Sequence, residues 1–258
     1  MKKNMTDAGH GGYDSGAPGV HGCLEKDIVL DVANRIDNYL ESQGIENTNT
    51  RTTDIFVALK DRTNKANNLS VNSFVSIHCN SSDSSSAQGI ETYCYKFKHR
   101  TLADVIHEQL IQEGLYTKNR GIKEGDLHVV RETNMDACLV ELGFITNEAD
   151  YNLIMNNKDR FAKAIAKGIC KFNGVAWKEP ESLGKEFPNG NYSGRKAKVI
   201  ADVLNVRYDR GTEYDIIGKI KNGYIVNLQY CINGWVSIEG FKGNKGLGYV
   251  NSKYLQLL

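Results

Sequence analysis

Ala137-Cys138-Leu139-Val140-Glu141-Leu142-Gly143-Phe144-Ile145 is the stretch on which the reading of this chain turns. It has the length and apolar character of a buried strand, interrupted by one carboxylate. An ionised Glu in such a setting is costly unless a cation, a metal or a reaction uses it. Two further strand-like segments end in polar residues, Met5-Thr6-Asp7-Ala8-Gly9-His10 and Phe74-Val75-Ser76-Ile77-His78-Cys79-Asn80. If the three lie parallel in one sheet, His10, His78 and Glu141 gather at its carboxyl edge, where α/β folds place their ligands.

Outward from these strands the first 173 residues alternate between strand-like and helix-like patterns. After the Gly-rich loop 9–22, residues 25–42 carry Ile28, Val32, Ile36, Tyr39 and Leu40 at helical spacing, and Gly44 stops the helix. A helix is expected at 57–69, strands at 73–79 and 89–95, a helix near 100–115 and a short strand at 127–130. Thr146 or Asn147 can cap the helix after the Glu141 strand, and 158–172 forms the last helix. This alternation predicts an α/β domain over residues 1–175, a mixed and largely parallel sheet flanked by helices. Residues 176–196, with Pro180, Gly184, Pro188, Gly190 and Gly194 among charges, read as a linker. Beyond it, short apolar segments recur between turn signals such as Asn222-Gly223 and Asn233-Gly234, which predicts a small all-β barrel over 197–258.

The 258-residue chain is 40% hydrophobic and 24% charged, ordinary for a soluble globular protein. Its net charge of +1 argues against nucleic acid as the main partner. The charge is uneven, −3 over residues 1–175 and +4 over 176–258, and a mildly basic tail suits an anionic polymer. No apolar stretch approaches the roughly 18 residues that span a membrane, so no membrane insertion is expected. The start, Met1-Lys2-Lys3-Asn4-Met5, leads into no apolar core of a secretory signal; synthesis in the cytoplasm is the expectation. The six cysteines contain no CxxC pair and read as packed thiols. The glycines of segment 9–19 match neither common phosphate-loop pattern.

A catalytic zinc takes three nitrogen or oxygen ligands and keeps a fourth position for water. His10 sits among glycines at a strand end, His78 ends a second strand, and Glu25 opens the first helix directly after the His10 loop. Glu141 would then be the acid and base. The spacing alone is not diagnostic, since each residue has a plainer reading: a turn histidine, a core histidine, a helix-start acid, and a carboxylate paired with Arg131. Asp7 is read as fixing a loop or a ligand histidine, and Asn80 as a group that hydrogen-bonds substrate. His21, His99, His107 and His128 are read as surface or structural.

Four ordered motifs, Asp7-Ala8-Gly9-His10-Gly11-Gly12, Glu25-Lys26-Asp27, Ser76-Ile77-His78-Cys79-Asn80 and Leu139-Val140-Glu141-Leu142-Gly143-Phe144, resemble those of the zinc-dependent N-acetylmuramoyl-L-alanine amidases of the amidase-3 type. The resemblance covers roughly residues 1–173. It implies one zinc ion held by His10, Glu25 and His78, with Glu141 as catalytic carboxylate. Leu204-Asn205-Val206-Arg207, Ile216-Ile217-Gly218, Gly234-Trp235 and Gly248-Tyr249-Val250 resemble a bacterial SH3-type domain, which implies cell-wall binding. Two departures stand out. Lys2-Lys3-Asn4 replaces the usual apolar start of the first strand, so a frayed or atypical edge is expected there, and Asp136 stands where proline is common.

The implied function is a peptidoglycan hydrolase that cuts the amide between N-acetylmuramic acid and L-alanine, an endolysin that reaches the wall after release. Its implied partners are bacterial peptidoglycan and anionic wall polymers. Two rivals are a zinc peptidase acting within the stem peptide and a wall-binding protein without activity.

Overall fold

The computed structural model describes residues 2–179, 186–201 and 203–258. They divide into two compact units, Met1–Trp177 and Lys178–Leu258.

The first unit runs β1 (Lys3–Ala8), α1 (Glu25–Ser42), β2 (Glu46–Asn49), α2 (Leu59–Leu69), β3 (Ser73–Asn80), β4 (Ile90–Cys94), α3 (Thr101–Gln112), β5 (Asn119–Glu124), α4 (His128–Arg131), β6 (Asp136–Phe144) and α5 (Glu148–Phe172). The strands form one sheet in the order β2-β1-β3-β6-β4-β5. β1, β3 and β6 lie parallel and adjacent, which meets the condition for gathering their end residues, while β4 pairs antiparallel with β6. One face of the sheet packs against α1, α3 and α5 through Ile36, Leu40, Ile77, Ile106, Val140, Phe161 and Ile165. The other face carries a smaller cluster of Met5, Phe74, Val129, Val130 and Leu139. Trp177 closes the unit with its ring 6.1 Å from that of Tyr39.

α1 forms where the apolar spacing places it, burying Ile28, Val32, Ile36 and Leu40 on one stripe. Asn147 caps α5, its side-chain oxygen accepting from the backbone N–H groups of Ala149 and Asp150. The two helical stretches expected here, one after the Glu141 strand and one from Lys158, meet across a kink within α5. The helix is bent at Asn157, which leaves helical geometry (φ −132°) while its side chain donates to the Leu153 carbonyl at 2.8 Å. Local side-chain bonding of this kind competes with the helix ladder.

Three local expectations are corrected. Leu127–Val130 is not a strand: its last three residues belong to the one-turn helix α4. The edge strand is β5, whose Asn-Arg-Gly-Ile-Lys-Glu sequence has no apolar alternation to betray it. The start of β1 is not frayed, because β2 covers it and Asn4 is fully buried with its side chain on Asn47 and Ser73.

The second unit holds β7 (Gly190–Asn191), β8 (Lys196–Val199), β9 (Val203–Arg207), β10 (Ile216–Lys221), β11 (Ile225–Ile232), β12 (Trp235–Ile238), β13 (Gly248–Asn251) and β14 (Leu255–Leu257). Every pairing is antiparallel. Val226 and Leu228 of β11 point inward between exposed Ile225 and Asn227, the alternation of a one-sided strand. The β11–β12 hairpin turns at Asn233-Gly234, both at positive φ, as the Asn-Gly signal predicts. The end of the expected linker belongs to this unit: Phe187 and Tyr192 are buried in its core and β7 pairs with β11. Pro180 and Gly184, also read as linker, lie outside the described residues.

Candidate active site

The parallel strands deliver the predicted residues to one edge. β1 ends at Ala8, and the chain turns sharply through Gly9-His10-Gly11-Gly12, with His10 itself left-handed at φ 57°. Gly9 lies flat on His78: a Cβ there would fall 2.3 Å from the imidazole. The turn is held by two buried arginines. Arg51 donates to the carbonyls of Ala8, Gly9 and Lys26, and Arg62 to those of Ala8 and His10. Arg62 is in turn paired with Asp7 at 2.7 Å. Asp7 also accepts from Thr50 and Ser76, so it fixes the loop through Arg62, as its position predicted.

Glu25, the first residue of α1, is buried and folds back over the edge. Its Oε1 is 2.9 Å from His78 Nδ1 and its Oε2 is 3.2 Å from His10 Nε2. The backbone N–H groups of Cys79 and Ala17 donate to the two oxygens and lock the carboxylate in place. His10 Nδ1 lies 3.0 Å from Asp14 Oδ2, which orients the ring and turns Nε2 toward Glu25 and His78. One ligand atom from each of His10, Glu25 and His78 lies within 4.8 Å of the others. Burial opposes charge on all three, yet their mutual bonds outweigh it: Glu25 is held below the carboxylate range and both histidines are raised. Two imidazoles and a carboxylate facing one point are the donor set that suits zinc.

Glu141 stands beside this cluster as the register partner of His78. Its Oε2 is shut off from solvent and has no hydrogen-bond partner. Burial pushes its carboxyl up to about 7, helped by the negative charges of Glu25 and Glu91 against the opposing pull of His78. It does not pair with Arg131, which bonds Asp126 and Glu132. Asn80 lies close by, but its amide donates to Glu91 at 2.7 Å.

Residues 5–171 match the family model described as N-acetylmuramoyl-L-alanine amidase. The chain belongs to this family. Residues 202–256 match the bacterial SH3 domain. Among solved structures, the amidase resembles the catalytic domain of CwlV, N-acetylmuramoyl-L-alanine amidase from Bacillus (Paenibacillus) polymyxa var. colistinus, at 38% identity and a TM-score of 0.66. The match covers 68% of this chain and 100% of that one. It is 41% identical over 177 residues to the uncharacterized protein YqiI of Bacillus subtilis, covering 66% of this chain and 84% of that protein. It is 38% identical over 174 residues to the N-acetylmuramoyl-L-alanine amidase LytC of the same organism, covering 65% of this chain but 35% of LytC.

Sequence reasoning missed the groups that support this amidase site: Asp14 behind His10, the clamps Arg51 and Arg62, and Glu91 beside Glu141. Each is an ordinary charged residue in the sequence. Only the folded chain brings them to the sheet edge, Arg51, Arg62 and Glu91 buried and Asp14 half-exposed behind His10.

Proposed function

We propose that this amidase holds one zinc ion on His10, Glu25 and His78 and cleaves the amide between N-acetylmuramic acid and L-alanine. One observation carries the reading: three ligand atoms within 4.8 Å of one another, next to a carboxylate oxygen that is buried and unbonded. An orphaned carboxylate oxygen is costly to keep, which marks Glu141 as a group awaiting a partner supplied by the reaction. Zinc, when bound, supplies a Lewis acid that polarises the amide carbonyl and lowers the pKa of water toward about 7.

The chain's own residues then do the proton work. Glu141 takes the proton of the attacking water on its free oxygen and delivers it to the departing amine of L-alanine. Its raised proton affinity suits both halves of that task, since the same carboxyl must gain and lose a proton near neutrality. Asp14 and the backbone N–H groups on Glu25 keep the ligands from rotating as charge develops. The family membership and the named amidase relatives support the substrate class. The SH3-type unit, with the chain's net +4 in residues 176–258, is read as a tether to peptidoglycan and anionic wall polymers, raising the local concentration of the catalytic unit on an insoluble substrate.

End-group analysis of digested peptidoglycan tests this. The expected result is new L-alanine amino termini without new reducing sugars, abolished by a zinc chelator and restored by zinc. Amino termini at other residues would establish a peptidase instead, and no products at all a wall-binding protein.

A further inference from the structure

Next to Glu141 the sheet carries a second charged group that the proton transfers do not use. Glu91 is the register partner of Glu141 across the antiparallel β4–β6 pair, so the two carboxylates rise from the same face. Glu91 is buried, and from the edge strand Arg120 Nε (2.5 Å) and Lys123 Nζ (2.6 Å) converge on its Oε2. The Tyr93 hydroxyl and the Asn80 amide donate to its Oε1 at 2.8 and 2.7 Å. The guanidinium of Arg120 is steadied over the Phe144 ring at 5.0 Å and the ammonium of Lys123 over Tyr93 at 5.9 Å.

Two features go beyond what burying Glu91 requires. One cation would neutralise it; the second is matched only by the neighbouring Glu141, and only when that carboxyl is ionised. Both cations also remain open to solvent, with 29% and 36% of their side chains exposed. α3 packs on the other face of these strands, against Ile90 and Cys94, so the partly exposed Arg120 and Lys123 border the buried carboxylates from the edge of the opposite face. On the far side of the site the surface is aromatic instead: Tyr13 stacks on Phe56 at 4.3 Å, and the nearby Lys26 is tied to Asp54.

We propose that Arg120 and Lys123, braced by Glu91, form a subsite for a carboxylate of the stem peptide on the amine side of the scissile bond. This rests on the amidase reading, in which a sugar lies on the acyl side of the bond and a peptide on the amine side. Neighbouring strands are about 4.8 Å apart, close to the length of one extended residue. With the amide at Glu141, an acidic residue directly after L-alanine therefore comes level with the cations that reach in over Glu91. Arg120 offers the planar fork that suits carboxylate recognition, and Lys123 a point charge.

The test compares matched muropeptides that differ only in whether the second stem residue is glutamic acid or its amide. The wild-type chain is expected to favour the free acid by about tenfold in kcat/KM, the discrimination typical of one charge-assisted hydrogen bond. In Arg120→Gln and in Lys123→Gln the ratio of acid to amide should fall toward one, with the loss on the acid expressed mainly in KM. A wild-type ratio of one overturns the proposal without any variant. So does a variant that loses both substrates in equal proportion, the result expected if the cations only neutralise Glu91. Cleavage of neither muropeptide by the wild-type chain would overturn the amidase reading itself, and this subsite with it.

Discussion

Glu141 concentrates the functional and the energetic tension of the molecule in one side chain. Replacing it by Gln should cut amidase turnover by about 10²–10⁴-fold, the usual weight of a positioned acid and base. The same change should stabilise the fold in the presence of a chelator. Burial raises the Glu141 carboxyl from its ordinary value of 4.5 to about 7. Below its unfolded value the side chain is neutral in both states and costs nothing; as pH rises through the folded value it must ionise in a poor environment. The Gln variant should therefore melt at a higher temperature than the chelated wild type at pH 8, and the gap should close at pH 4. At Gly9 the constraint is steric. A methyl group 2.3 Å from the His78 ring has to displace it, so Gly9→Ala should lower the zinc content measured by elemental analysis while the circular dichroism spectrum stays native. The clustering of His10, Glu25 and His78 was anticipated through four motifs that resemble those of a known family, since their spacing alone allowed plainer readings. Glu91, Arg120 and Lys123 were not anticipated, because in a one-dimensional reading they are three unremarked surface charges. Their role comes from an antiparallel neighbour, and the strand carrying two of them has no apolar alternation.

At the level of elements, the site depends on how β1, α2 and the His10 loop are joined. Arg62 of α2 reaches into the sheet, pairs with Asp7 and holds the carbonyls of Ala8 and His10. Burial opposes charge on Asp7, but Arg62 with the hydroxyls of Ser76 and Thr50 outweighs it and keeps the carboxyl below its ordinary value of 3.8. A lowered carboxyl stabilises the fold above its unfolded value, and that contribution disappears as pH falls through the folded one. Asp7→Ala leaves Arg62 buried and unpaired, which costs about 3 kcal/mol in urea unfolding at pH 7. The difference from wild type should shrink as the pH falls below the ordinary value of 3.8 toward the lower value at which the folded-state carboxyl takes up its proton. The extent of α1 was readable from periodicity, whereas the pairing of β1, β3 and β6 entered only as the condition under which their end residues would meet. The four apolar or histidine residues at 127–130 were not readable, because a run that short fits a strand and a helical turn equally well. The expected start of the last helix at Lys158 falls directly after the kink in α5, where Asn157 leaves helical geometry.

The whole chain is two cores, and a ligand for one should be felt by that one. Because a metal that binds only the folded state stabilises it, zinc should raise the melting temperature of the first unit in calorimetry. A chelator should shift that transition down and leave the transition of the barrel in place. The barrel was legible from its turn signals, yet its start was misplaced. Phe187 and Tyr192 lie among prolines and glycines, and their burial depends on partners about forty residues further on. The two tryptophans of the chain fall one to each unit, Trp177 beside Tyr39 and Trp235 in β12. That division hands the protein a built-in pair of optical reporters. A Trp177→Phe variant would keep tryptophan emission only from the SH3-type unit and a Trp235→Phe variant only from the amidase unit, so fluorescence from a single untagged chain can time each half as it melts or refolds.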